Sequence, residues 1–262
     1  MPLVTPDNQP VAAAESREQH LCTFLEWDSN FFGVRIARLN VAHLNEQTLA
    51  STLQWCGSNR IDCLYFLSDS DHAATPLLAE NNGFHLTDVR MTLEKPLAQS
   101  ETFPAHATIR LAREEDLPAL REIARNTHRD TRFYFDGHFD HDKCDQLYAT
   151  WTENSFRGFA QAVLVADVAN VPAAYLTCHL KDGESQIGLL GVGAQHQGGG
   201  LGTKLVHQFL FWSREQRAER ATVVTQGRNL AAQRLYQRNG FVTASFQLWY
   251  HRWFSRIGTV AS

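Results

Sequence analysis

Apolar residues in the second half of the chain recur with two periods, and the switches between them predict a succession of elements. Leu117, Leu120, Ile123 and Ala124 share one face of a helix over 114–126, with Pro118 in its first turns, where proline costs least. Leu147, Tyr148 and Trp151 do the same for a helix over 144–155. Apolar runs at 108–112, 162–167, 173–181 and 185–192 read as strands, with turns at Asn170-Val171-Pro172 and Asp182-Gly183. After a glycine-rich stretch, Leu205, Val206, Phe209 and Trp212 predict a helix, followed by a strand over 221–225 and a helix from Asn229. A last strand runs from Phe241 towards Phe254. Residues 127–143, which include Arg132-Phe133-Tyr134-Phe135, are expected to form a long polar-aromatic loop.

The first half is too apolar for a linker. It predicts a strand over 21–25, a polar-aromatic turn over Trp27-Asp28-Ser29-Asn30-Phe31-Phe32-Gly33, and a strand over 34–39. A helix over 46–56, a strand over 61–67, a helix over 75–82 and a strand over 84–93 follow. The expected division is a disordered lead-in over 1–20, an N-terminal α/β region over 21–97 and a larger α/β domain over 105–256, with Pro96 to Pro104 as linker.

The strongest chemical signal is Gln197-Gly198-Gly199-Gly200-Leu201-Gly202, between a strand and a helix. Such a turn gathers backbone N–H groups at a helix N-terminus, where unpaired donors and the helix dipole attract an anion. A Walker loop would need Gly-Lys-Ser/Thr, which is absent, and a dinucleotide fingerprint should open a βαβ unit near the start of the domain. A glycine-rich hinge without a ligand is the other reading. A second block, Asn229-Leu230-Ala231-Ala232-Gln233-Arg234-Leu235-Tyr236-Gln237-Arg238-Asn239-Gly240-Phe241, favours a ligand. Asn229 suits an N-cap, Gly240 a helix stop, and Tyr236 either a half-buried core aromatic or a chemical group.

Gln197, Gly200 and Gly202 meet Q-x-x-G-x-G, and Asn229, Ala232, Leu235, Tyr236, Gly240 and Phe241 meet N-x-x-A-x-x-L-Y-x-x-x-G-F. Together they resemble the GNAT acyl-CoA N-acyltransferases over about residues 108–254. The resemblance implies a mixed central sheet flanked by helices, with acetyl-CoA as cosubstrate. Main-chain groups of Gln197, Gly198, Gly199, Gly200, Leu201, Gly202 and Thr203 would hold its pyrophosphate. Leu190 and Val192, on a strand splayed from its neighbour, would pair with the pantetheine, and Asn229 could meet a cofactor amide. Tyr236 would protonate the departing thiolate as catalytic acid. Trp27 to Gly33, Arg132-Phe133-Tyr134, Tyr148 to Asn154 and Ile187 to Leu190 look like the bacterial dTDP-fucosamine acetyltransferases. That closer resemblance implies a nucleotide-linked amino sugar as acceptor, for surface glycan assembly, with Arg132, Phe133 and Tyr134 binding it. It also implies that the N-terminal part is a smaller, degenerate GNAT-like half. Leu78-Ala79-Glu80-Asn81-Asn82-Gly83-Phe84 echoes Leu235 to Phe241 in keeping with this, and chance is the competing explanation. A GNAT acting on a peptide amine or another small amine, and a non-catalytic acyl-CoA sensor, stay open.

Composition narrows the picture further. Charged residues make up 20% and apolar residues 44%, so a soluble globular protein is expected, and the net charge of −4 argues against a broad nucleic-acid footprint. No run reaches the length of a membrane span. The five cysteines are irregularly spaced, which points to a reduced, cytoplasmic setting and to no metal site. Asp136, His138, Asp140, His141 and Asp142 read as a solvated loop. A homodimer is compatible with the sequence.

Overall fold

The computed structural model describes residues 20–98, 100–104, 106 and 108–254. Elements follow the order β1 (Cys22–Phe24), α1 (Glu26–Phe32), β2 (Ile36–Leu39), α2 (Glu46–Ser58), β3 (Cys63–Asp69), α3 (Ala74–Asn81) and β4 (His85–Pro96). Then come β5 (Ile109–Leu111), α4 (Leu117–Thr127), α5 (Arg132–Phe135), α6 (His141–Asn154), β6 (Ala162–Val168), β7 (Val171–Lys181) and β8 (Glu184–Val192). The chain continues with α7 (Leu201–Glu215), β9 (Arg220–Gln226), α8 (Leu230–Arg238) and β10 (Val242–Trp253). Contacts divide these residues into two interleaved units: 91–130 with 140–245, and 20–90 with 131–139 and 246–254. Residues 131–139 and 246–254 thus group with the N-terminal region rather than with the segments flanking them in sequence. The expected lead-in, His20 apart, lies outside the described residues. Among the described residues no helix is long and apolar enough to cross a membrane.

In the first unit β5, β6, β7 and β8 pair antiparallel in turn, and β9 joins β8 in parallel. Ala173 to Cys178 of β7 are all buried, as expected of a strand covered on both faces. Leu176 packs into a core with Leu205, Val206 and Phe209 of α7. Tyr175, one residue back, points to the other face, where its hydroxyl meets Thr152 of α6 at 2.9 Å. Arg110 clamps this end of the sheet, reaching Asp116 at 2.6 Å and Asp167 at 2.7 Å.

In the second unit β1 pairs antiparallel with β2, β2 parallel with β3, and β3 antiparallel with β10. Two sequence expectations are corrected here. The turn over 27–33 is the helix α1, closed by Gly33 in the left-handed conformation (φ 76°). The loop over 127–143 contains α5, and part of it goes inward: Arg132, Phe133 and Phe139 are all buried, while Phe135 stays exposed. The Arg132 guanidinium lies 4.3 Å from the Tyr65 ring centre and 4.2 Å from those of Phe133 and Trp249. Its Nη1 donates to His251 Nε2 at 2.7 Å, so that nitrogen carries a lone pair and the His251 proton sits on Nδ1, which donates to Asp136. Asp136 also accepts from Trp253 Nε1 at 2.9 Å and pairs with His138 at 2.6 Å. The Asp136 carboxylate is therefore interior rather than solvated, while Asp140 caps α6 by accepting from the Lys143 N–H.

Burial pulls the His251 imidazole down to about 4 against the pull of Asp136. Burial pushes Asp136 up, but the hydrogen bonds from His251, Trp253 and His138 prevail and hold it at about 2. In the first unit, burial likewise holds His128 and His179 at about 4. These folded values lie below the unfolded ones, so the stabilisation is present above the unfolded pKa and is lost as pH falls. Asp28, raised to about 6 mainly by burial, acts oppositely, losing stability as pH rises from about 4 to 6. His128, His179 and His251 outweigh this one carboxyl. The urea midpoint is therefore expected to fall as pH is lowered from 7 to 4. A midpoint that stays level or rises over that range would show that these imidazoles titrate normally in the folded chain.

Candidate active site

The first unit brings the glycine loop, the end of β8 and α8 together around one apolar core. Leu201 and Tyr236 are buried in it, and Leu190, Val192 and Leu235 pack against it. Gly200 forms the N-cap of α7 in the left-handed conformation (φ 80°), and Gly198 adopts a similar φ of 76°. The Lys204 N–H closes the first turn of α7 on the Gly200 carbonyl at 3.1 Å. The N–H groups of Leu201, Gly202 and Thr203 precede that bond and stand at the helix terminus as donors. A Cβ on Gly202 would lie 3.1 Å from Leu235 Cδ2, so this glycine lets α7 approach α8 closely. The exposed Gln197 sends its side-chain amide back to the Val192 carbonyl at 3.2 Å, tying loop to strand.

β8 and β9 pair only from Glu184–Arg220 to Ile187–Val223, although both strands continue. The separation begins at an irregularity. Between the pairs Cys178–Ile187 and Leu176–Leu190, β8 carries one residue more than β7. The Thr177 hydroxyl accepts from the Leu189 N–H at 2.8 Å there, and the Gly193 N–H returns to the Ala173 carbonyl at 2.9 Å. Leu189 and Gly193 thus aim their amides at β7. By alternation Leu190 and Val192 aim theirs at the side that β9 has left. Gly191, between them, has no room for a side chain, since a Cβ would meet Tyr175 Cε1 at 2.6 Å.

Tyr236 lies on α8 with its ring 5.9 Å from that of Phe241, and burial pushes its phenol well above the ordinary range. It therefore holds its proton at neutral pH. Asn229 caps α8, its Oδ1 accepting from the Ala232 N–H at 3.0 Å, which is the structural use expected of it. Arg132, Phe133 and Tyr134 belong to the other unit. Arg132 and Phe133 are 2% and 1% exposed, so neither presents a surface on which a base could stack or a diphosphate could rest. Sequence reasoning gave no role to His128, Thr152 or Tyr175, which the fold links by hydrogen bonds.

Residues 117–241 match the Acetyltransferase (GNAT) family. This chain carries a GNAT acetyltransferase domain. Acetyl-CoA is the cosubstrate of that family. Among proteins similar in sequence is the spore coat polysaccharide biosynthesis protein SpsD of Bacillus subtilis, 28% identical over 53% of this chain. The alignment spans 48% of that relative, about half its length. The dTDP-fucosamine acetyltransferase of Escherichia coli O6:H1 is 26% identical over 87% of this chain and 96% of its own. Among solved structures, a GCN5-related N-acetyltransferase from Sphaerobacter thermophilus has a TM-score of 0.63 at 12% identity, covering 88% of this chain and 76% of its own. A conserved protein of unknown function from Staphylococcus epidermidis has a TM-score of 0.64 at 13% identity, covering 96% and 98%. These structural likenesses show the GNAT fold, a mixed sheet flanked by helices.

Gly200→Val places a β-branched residue at φ 80°, which it does not adopt without strain, in a spot with no neighbour to clash against. The expected outcome is a folded variant whose loop amides no longer converge. Calorimetry should then record CoA affinity at least about tenfold weaker, or about 1.4 kcal/mol. Equal affinity in a folded variant would remove the loop from CoA binding.

Proposed function

We propose that this protein is an acetyl-CoA-dependent N-acetyltransferase acting on the amino group of a dTDP-4-amino-4,6-dideoxyhexose, in the cytoplasm, for surface glycan biosynthesis. The observation that carries the acetyl-transfer reading is the set of outward amides at Leu190 and Val192 beside the glycine loop, in the same core as Tyr236. The pantetheine chain would take the place of the missing strand pairing. The pyrophosphate would lie on the amides of Gln197 to Thr203, which the dipole of α7 makes a favourable anion site. A main-chain N–H of β8 would polarise the thioester oxygen. The amine would attack the carbonyl carbon, and Tyr236 would give its proton to the sulfur as the C–S bond breaks.

The choice of acceptor is supported by the length and extent of the similarity to the dTDP-fucosamine acetyltransferase. The N-terminal region is read as a GNAT-like half without chemistry. The ends of α3 and α8 repeat one another: Phe84 N–H to Ala79 carbonyl and Phe241 N–H to Tyr236 carbonyl are both 3.1 Å. Each of these stops turns on a left-handed glycine, with φ 75° at Gly83 and 84° at Gly240. Ala79 stands where Tyr236 would be, so that half lacks the acid.

Incubation of the protein with acetyl-CoA and the dTDP-linked 4-amino sugar should release CoA and yield the 4-acetamido product by mass spectrometry. Turnover of a peptide amine with none of the amino sugar would overturn the acceptor reading. Tyr236→Phe keeps the ring and removes the proton. It is expected to lower kcat by about 10²–10⁴, the range of general acid catalysis, with CoA affinity unchanged. A kcat within about twofold, outside that range, would assign the acid elsewhere.

A further inference from the structure

We propose that His128 is the base of the acyl transfer, taking the proton of the attacking amine on Nδ1, directly or through one water, while Tyr175 and Thr152 hold the ring in the tautomer that this requires. The proposal deepens the acetyltransferase reading and rests on it for the reaction, though not for the tautomer.

The imidazole is fixed from two sides. Its face stacks on the Tyr148 ring, with centres 4.8 Å apart and planes 20° from parallel. Its Nε2 lies 3.0 Å from the Tyr175 hydroxyl, which lies 2.9 Å from Thr152 Oγ1, which lies 2.9 Å from the Tyr148 carbonyl. A carbonyl only accepts, so the terminal bond is made when Thr152 donates. Thr152 Oγ1 then accepts from the Tyr175 O–H, and the Tyr175 oxygen accepts from His128 Nε2–H. This direction makes every bond in the chain, whereas the reverse leaves the Tyr148 carbonyl without the hydroxyl. The proton of the neutral ring is therefore on Nε2, and Nδ1 carries the lone pair. Burial holds the imidazole at about 4, so that lone pair is present at neutral pH.

The placement suits the reaction. The Tyr175 ring lies against β8 at Gly191, with a Cβ there meeting Tyr175 Cε1 at 2.6 Å and Thr127 Oγ1 at 3.1 Å. Gly191 separates Leu190 and Val192, whose amides face the side vacated by β9. The Tyr175 ring thus lies against Gly191, between the two residues of β8 along which the acetyl thioester would lie. In the step proposed, the amine lone pair forms the C–N bond and pushes the carbonyl electrons onto oxygen. The resulting N–H, acidified by its bond to a carbon bearing oxygen and sulfur, passes its proton to Nδ1. The electron pair on oxygen then re-forms the carbonyl as the C–S bond breaks with its own pair on sulfur, which takes the Tyr236 proton. The amide and CoA leave, the imidazolium gives its proton to water, and the tyrosinate regains one from water.

Two measurements test this. Nitrogen-15 NMR of the free protein at pH 7 should show His128 neutral, with the proton on Nε2. The opposite tautomer would overturn the proposal whatever the enzyme acetylates. His128→Gln keeps an amide N–H able to reach Tyr175 and removes the basic nitrogen. On whichever amine the wild type acetylates, it is expected to lower kcat by at least about 100-fold while leaving the KM for acetyl-CoA unchanged. Added imidazole should restore rate to His128→Gly. A kcat for His128→Gln within about twofold of wild type, outside the range of general base catalysis, would leave water as the proton acceptor and overturn the proposal. Failure of the amino sugar alone, with another amine giving these ratios, would overturn the acceptor reading and support the role of His128.

Discussion

The parting of β8 from β9 beyond Ile187 and Val223 is the constraint on which the rest of the site depends. A strand inside a sheet normally spends its amides on both neighbours, and leaving them unmet is costly when they are buried. Here the extra residue in β8 opposite Thr177 turns the strand, and Leu190 and Val192 are left with amides aimed away from β7. The protein supports that open edge from every other direction. Thr177 occupies the Leu189 amide, Ala173 the Gly193 amide, and Gln197 the Val192 carbonyl. The one direction left over is the one that an extended, amide-bearing ligand such as pantetheine would use.

The second unit is organised around a different cost. Arg132 is a buried guanidinium, and isolated burial of a charge is unfavourable by several kcal/mol. Tyr65, Phe133 and Trp249 offer their ring faces, and His251 offers a lone pair because Asp136 holds its other nitrogen's proton. Replacing any member leaves the others uncompensated, so these residues are tied to the stability of the unit. That accounts for their position in the interior, where the sequence had suggested a ligand-facing loop.

Much of this was legible in the chain itself. The long amphipathic helices α4, α6 and α7 and the strands β6 to β9 follow from periodicity, with ends displaced by a few residues. Gly198 and Gly200 announced a turn before α7, and Asn229 announced a cap. The segments read wrongly are those where tertiary partners decide. Trp27 to Gly33 looks like a turn because Asp28-Ser29-Asn30 and Gly33 are turn residues, yet Phe32 packs against Phe139 with ring centres 4.5 Å apart and fixes a helix. Arg132 reads as a cation aimed at the acceptor until His251, 119 positions away, supplies its partner. No spacing links residues 128, 152 and 175, so the hydrogen-bonded chain through Tyr175 could be found only in the fold.

Amide hydrogen exchange along β8, with and without CoA, tests the central claim most directly. Leu190 and Val192 should exchange readily in the free protein and slow markedly when CoA is added. Leu189 and Gly193, already bonded to Thr177 and Ala173, should be protected in both states. Unchanged exchange at Leu190 and Val192 under saturating CoA would contradict it, because the open edge of β8 would then not be where the cosubstrate lies.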